Sequence, residues 1–182
     1  MAFQVLIILG GLVVGWFKRG SLWNVGNIKL KLWWVLPVAY VLQHISVAYL
    51  SGLSYEIIVV ASYLLMLTFG MLNAKYPGIV WSLIGTIANF VALSFNGLRM
   101  PAYVPAVKMM APEILPQLQA GVYGKSIAMS STTHLNFLGD IFAFNVYPAS
   151  LLSIGDLLFA IGLVVLIQHA MAGNSKGRVM HD

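Results

Sequence analysis

Several ionisable residues in the second half of the chain have neighbours that could turn them to chemistry. Arg99 stands in FNGLRMPAYVP, where an Asn-Gly step and two prolines surround the first charge after Lys75. Its planar guanidinium has three uses open to it: snorkelling to outer phosphates, pairing with Asp140 or Asp156, or clamping a ligand's carboxylate or phosphate. His134 and Asp140, in TTHLNFLGD, offer a base oriented by a carboxylate, with Ser130, Ser131, Thr132 and Thr133 as neighbouring hydroxyls. Their spacing is neither i,i+3 nor i,i+4, so a regular helix would not aim both at one metal or one proton path. No GxSxG or HExxH motif stands behind them, and they are catalytic candidates without a signature. Asp156, three residues after Ser153 in SIGD, has the spacing of a capping box with Asp in place of Glu. Its alternative role is in a buried ionic site beside Arg99 or Lys108.

Other polar residues fall inside apolar runs, where they are expensive and face protein or a water-filled cavity. Thr86, Asn89 and Asn96 form one stripe that leads up to the NGLRMP stop. Interhelical hydrogen bonding and the lining of a cavity are the two readings of that face. His44, beside Gln43, is the candidate proton-sensitive or quinone-contacting group. It does not pair with His169 around a haem: at 1.5 Å rise per residue the two imidazoles lie at depths about 10 Å apart. No haem, metal or other resident cofactor is predicted.

The elements that must position these residues are membrane helices. Hydrophobic residues make up 60% of the chain and charged residues 8%, with a mean hydropathy of +0.88. A soluble domain of this size has no use for so much apolar surface. The fold expected is an all-α integral membrane protein, one membrane domain over residues 1–182, with five transmembrane helices at about 2–17, 32–51, 57–73, 79–95 and 154–172. GLSYE is expected to be the turn before the third span, and AKYPG the turn before the fourth. Gly11 and Gly15, one turn apart, could admit another backbone. The apolar start lacks the leading positive charge of a secretory signal, so it is expected to be a retained first span.

Charge orients the threading. An outside N-terminus and a cytoplasmic C-terminus put Lys18, Arg19, Lys29, Lys31, Lys75, Lys176 and Arg178 inside, leaving Arg99, Lys108 and Lys125 outside. The net charge of +5 then serves orientation and anionic headgroups rather than nucleic acid, for which no basic block interleaved with aromatics exists. The absence of cysteine excludes disulfides and thiolate chemistry. Residues 96–153, between spans four and five, hold five of the seven prolines. A segment that long carries structure of its own, and an extracytoplasmic cap is expected. In it, PEILPQLQAG predicts a short helix opening at Pro112, and HLNFLGDIFAFNVYP is apolar enough to dock on the bundle. Gly97 suits a left-handed position past the fourth span, Asn96 a cap on its last carbonyls.

NGLRMP, HLNFLGD and SIGDLLFAIG, in that order, resemble an uncharacterised bacterial family of small multi-span membrane proteins, a domain of unknown function. Its members carry an Asn-Gly-x-x-Met-Pro step, a Leu-(Gly/Ala)-Asp element and a Ser-x-Gly-Asp entry to the last span. The likeness runs from Ile79 to Gly162, and Leu98 stands where the family often has a second glycine. The resemblance implies a shared architecture and a shared outer site, and no activity.

The functional expectation is a non-catalytic component of the cell membrane, multi-pass, in a bacterial inner membrane. It would serve as an accessory subunit or binding module, contacting lipid or isoprenoid quinone under the cap through Arg99, Asn96, Asp140, Asp156, His44 and Asn89. Membrane lipids, partner subunits or further copies of the chain are the expected partners. The alternatives are an enzyme on lipid-linked or phosphorylated material at the outer leaflet, using His134, Asp140 and Arg99, and a small proton-coupled carrier using His44.

Overall fold

A computed structural model describes residues 2–146 and 149–173. Helix dominates it. The long apolar runs form α1 (Ala2–Phe17), α3 (Val35–Tyr49), α4 (Gly52–Leu72), α5 (Ile79–Ser94) and α8 (Ile154–Ala172), and one turn, α2 (Leu22–Val25), follows α1. Two of these, α4 and α8, are long and apolar enough to cross a membrane; α1, α3 and α5 are shorter apolar helices. Protein covers a third or less of the α4 and α8 windows, 33% and 28%, so most of their apolar surface has no partner within the chain.

Boundaries differ from expectation where tertiary contacts override local signals. GLSYE is not a turn: it winds as the first turn of α4, because Tyr55 is buried there and its hydroxyl donates to Leu98 O at 2.9 Å. α3 starts at Val35 rather than residue 32, since Leu32 adopts a left-handed φ of 52° and Trp33–Trp34 stay in a turn. α5 ends as its residues dictate. Asn96 Nδ2 donates to Ala92 O, Gly97 is left-handed at φ 61°, and Leu98 follows it at φ 58° with its N–H on Leu93 O.

The tightest helix pair is α5 with α8. On α5, Gly78, Ser82, Gly85 and Asn89 recur at heptad spacing, and they meet Gly155 and Gly162 of α8. A β-carbon on Gly85 would run into Gly155 O, and one on Gly155 into Asn89 Oδ1. Such contact between backbones gives dispersion attraction where hydrophobic burial gives none. Gly11 and Gly15 of α1 make room instead for side chains of α8, those of Ile167 and Met171, and not for its backbone.

The bundle has two chemically distinct ends. At one, Ser21 N–H donates to Met171 O, Lys18 Nζ to Gln168 Oε1, and the fully buried Asn73 exchanges hydrogen bonds with both Lys31 N and Lys31 O. That end carries Lys18, Arg19, Lys29, Lys31 and Lys75. The expected cytoplasmic charges Lys176 and Arg178 lie outside the described residues.

The other end is closed by a folded cap, which is not all-α. After α5 come β1 (Met100–Ala102), α6 (Val104–Met110), a 3₁₀ turn at Pro112–Ile114, α7 (Leu115–Gln119), β2 (Ser126–Ala128), a second 3₁₀ turn at Asn136–Leu138, β3 (Phe142–Phe144) and β4 (Ser150–Leu152). β1 pairs parallel with β2, and β3 antiparallel with β4. Prolines at 101, 105, 112 and 116 keep the helices to a turn or two and leave short strands to satisfy the backbone. Ala102, Val107 and Leu118 form the core of the cap. Met100 instead joins Tyr55, Val59, Tyr63, Ala92 and Leu93 in the bundle core, so β1 is shared by both.

Candidate functional site

Four helices and two cap segments bring polar groups together where the cap meets the bundle. The site is founded on the start of α8. Ser153 Oγ accepts from Asp156 N–H at 2.9 Å, and Asp156 Oδ2 accepts from Ser153 N–H at 2.9 Å, the capping box that SIGD predicts. Asn89 closes it from α5: its Nδ2 donates to Asp156 Oδ1 at 2.9 Å and its Oδ1 accepts from Ser153 Oγ at 2.7 Å. The two Asp156 oxygens thereby accept hydrogen bonds from two directions, next to the positive end of α8.

Lys125 enters from the cap. The glycine-flanked turn before β2, with Gly121 and Gly124 both at positive φ, sends the chain back towards the bundle. There Lys125 Nζ donates to Gln43 Oε1 of α3 at 2.5 Å and lies 5.7 Å from the centroid of the Tyr63 ring on α4. Burial pushes the Lys125 ammonium below the usual lysine range, while Asp156 and Asp140 pull it back up.

Asp140 is held by main chain. Its N–H donates to Pro101 O at 2.8 Å and its carbonyl accepts from Tyr103 N–H at 3.0 Å, which ties it along β1. Burial, and then the Asp156 charge, push its carboxyl up to about 8 against the opposing pull of Lys125. At neutral pH it is mostly the neutral acid, a hydrogen-bond donor. A neutral acid suits this partly buried position, where a further charge would be costly. Among the described residues no lysine or arginine nitrogen comes within 4.0 Å of a carboxylate oxygen. Beside Asp140 the cap forms a half-open pocket of about 250 Å³, with Val107, Met110, Ile114 and Leu118 among its apolar walls and Tyr123, Ser126 and Ser150 as hydroxyl-bearing neighbours.

The other residues singled out from the sequence are distributed around this centre. Arg99 Nη1 donates to Gly124 O at 2.8 Å and its guanidinium stacks 5.3 Å from the Tyr55 ring centroid, so it braces the turn that delivers Lys125. Asn96 clamps the His134 main chain, accepting from its N–H and donating to its carbonyl, both at 2.8 Å. His134 itself is exposed. Ser130, Thr132 and Thr133 bond to one another and hold their own turn. No hydrogen bond among the described residues joins His134 to Asp140. His44 is exposed and stacks on Tyr40; its neighbour Gln43 is the one that reaches the site. Of the polar stripe on α5, Asn89 faces α8 and Asn96, just past its end, the cap, while the Thr86 hydroxyl bonds back to Ser82 O.

Lys125, Gln43 and Tyr63 are absent from the residues that spacing suggests. Lys125 carries one local signal, a lone cation directly after two turn glycines in AGVYGKSIA. Gln43 stands out as a polar residue in an apolar run, beside His44, and Tyr63 carries no signal; only the cap's docking brings them to Lys125. Among the described residues no group of three or more His, Cys, Asp or Glu is placed to hold a metal ion.

No curated protein and no solved structure matches the chain. A family model described as "Family of unknown function (DUF5317)" matches residues 27–168, a span that contains every residue of this site and leaves α1 outside. The chain belongs to that family, as the likeness of NGLRMP, HLNFLGD and SIGDLLFAIG to an uncharacterised family implies.

Proposed function

We propose that this is a five-span protein of the cell membrane, N-terminus outside, whose extracytoplasmic cap holds a neutral, carbonyl-bearing headgroup on an apolar tail. An isoprenoid quinone or a lipid is the ligand class, and the protein works as a binding module or accessory subunit. Support for the threading comes from the ends of the bundle, five cations gathered at one and the cap with Arg99, Lys108 and Lys125 at the other, as the positive-inside rule asks. The short helices α1, α3 and α5 need tilt or local thinning to span a core of about 30 Å.

The observation that carries the ligand class is the pocket with apolar walls against Asp140. Ligand sites combine apolar lining with a few placed polar groups. A carboxyl held neutral donates to a carbonyl oxygen and does not repel it, and Lys125 lies on the bundle side of the same residue. His134 is exposed and Arg99 is engaged with Gly124 and Tyr55, so the outer-leaflet enzyme gains no geometric support, nor does a carrier built on the exposed His44.

The test is binding of a decyl-tailed benzoquinone and of phosphatidylglycerol to the purified protein, read by the shift in thermal unfolding, with mass spectrometry of the lipids that copurify. Asp140→Asn keeps a neutral donor and should bind as the native chain does at pH 7; Asp140→Leu removes the donor and should weaken binding at least tenfold. Equal binding by both variants would refute Asp140 as the headgroup contact.

A further inference from the structure

The basic end of the bundle holds a second pocket, of about 410 Å³, remote from the cap. Four segments build it: Asn24 of α2, Asn27 and Lys29 of the strand of chain leading to α3, Tyr76 of the turn before α5, and His169 with Gly173 at the end of α8. We propose that this pocket binds a phosphate group, as the headgroup of an anionic phospholipid in the leaflet that meets this end.

Charge selects the anion. Among the described residues this end carries Lys18, Arg19, Lys29, Lys31 and Lys75 and no carboxylate: Glu56 opens α4 at the opposite end, and Glu113, Asp140 and Asp156 belong to the cap and its junction. On the pocket wall itself Lys29 is the cation, with His169, Asn27 and the Tyr76 hydroxyl as further polar groups. Lys75 Nζ adds a second cation 5.1 Å from the Tyr76 ring centroid. The Tyr76 hydroxyl donates to Lys29 O at 2.8 Å, which fixes the backbone that presents Lys29.

The negative end of α8 would oppose an anion here. That opposition is reduced, because Met171 O already accepts from Ser21 N–H at 2.9 Å and from Asn24 Nδ2 at 2.8 Å. A diffuse belt of surface lysines would need none of this construction, whereas a site for one phosphate needs a cation beside neutral donors, here Lys29 beside Asn27 and His169.

The chain supplies its own reporter. All five tryptophans, Trp16, Trp23, Trp33, Trp34 and Trp81, lie at or near this end, and Trp23 adjoins the pocket at 89% exposure. In phosphatidylcholine vesicles, brominated phosphatidylglycerol should quench their fluorescence with about fivefold preference over brominated phosphatidylcholine. Lys29→Gln should abolish that preference, and Lys31→Gln, the same charge change outside the pocket, should leave most of it. Equal losses in the two variants, or no preference in the native chain, would overturn the proposal in favour of diffuse attraction. Calorimetric titration of lipid-free micelles with inorganic phosphate separates the sources: heat that vanishes in Lys29→Gln would make the free anion the ligand and overturn the headgroup, and no heat beside intact lipid preference supports it. The measurement rests on the membrane reading but not on the cap ligand, so quinone binding can fail while lipid selectivity stands.

Discussion

Asp140→Asn should remove a pH dependence from stability. The folded chain holds the Asp140 proton up to about 8, against an ordinary carboxyl near 3.8. Folding therefore opposes ionisation. The Asp140 contribution is most favourable below the ordinary carboxyl range, declines as pH rises through it, and levels off above about 8. At about 1.4 kcal/mol per pH unit the gap sets a ceiling of about 6 kcal/mol. Asp140 is half-buried as a residue, and solvent screening brings the expected effect to about 2 kcal/mol. Asparagine keeps the shape and the donor of the neutral acid and cannot ionise. Thermal unfolding followed by tryptophan fluorescence should give superimposable midpoints for the two proteins near pH 4. By pH 8.5 the variant should be higher by about 4–8 °C, at roughly 2–4 °C per kcal/mol. Parallel curves over that range would refute a buried, proton-holding Asp140.

Three further outcomes follow from the packing. Gly155→Ala places a β-carbon against Asn89 Oδ1 and should cost about 1–3 kcal/mol, whereas Gly10→Ala, with nothing within 4 Å, should be neutral or mildly stabilising in the same unfolding assay. Asn89→Ala strips one partner each from Ser153 Oγ and Asp156 Oδ1 and should lower stability by about 1–3 kcal/mol, with Asn89→Gln failing to restore it because the longer amide cannot reach both from the same α5 backbone. Asn96→Ala frees the main chain of His134 from α5, and hydrogen exchange should show protection lost at His134 while the amide of Asp140, bonded to Pro101 O, keeps its own.

What can be read from the sequence is what local chemistry decides. SIGD is legible as a cap because its bonds span three residues, and NG after an apolar run is legible as a helix stop because a left-handed residue is wanted there whatever surrounds it. GLSYE misleads for the same reason. Its glycine and serine suggest a turn, and the burial of Tyr55 under Leu98 and Arg99, more than forty positions on, winds it into α4. The glycines at 78 and 85 are unremarkable until Gly162 and Gly155 come to face them. The site divides likewise: Asp140, Asp156 and Asn89 stand out as polar residues in apolar contexts, whereas Lys125 gains its role from Gln43, at a separation no motif spans.

The proposed threading, with the cap on the outer face of the membrane and the five-cation end on the inner face, underlies the proposed ligand sites at both ends. The chain has no cysteine of its own, so single cysteines report cleanly. Lys108→Cys and Lys75→Cys, labelled in intact cells with a membrane-impermeant maleimide and again after permeabilisation, measure it directly. Modification of residue 108 in intact cells and of residue 75 after permeabilisation alone is the predicted result; labelling of both from the same side would contradict it.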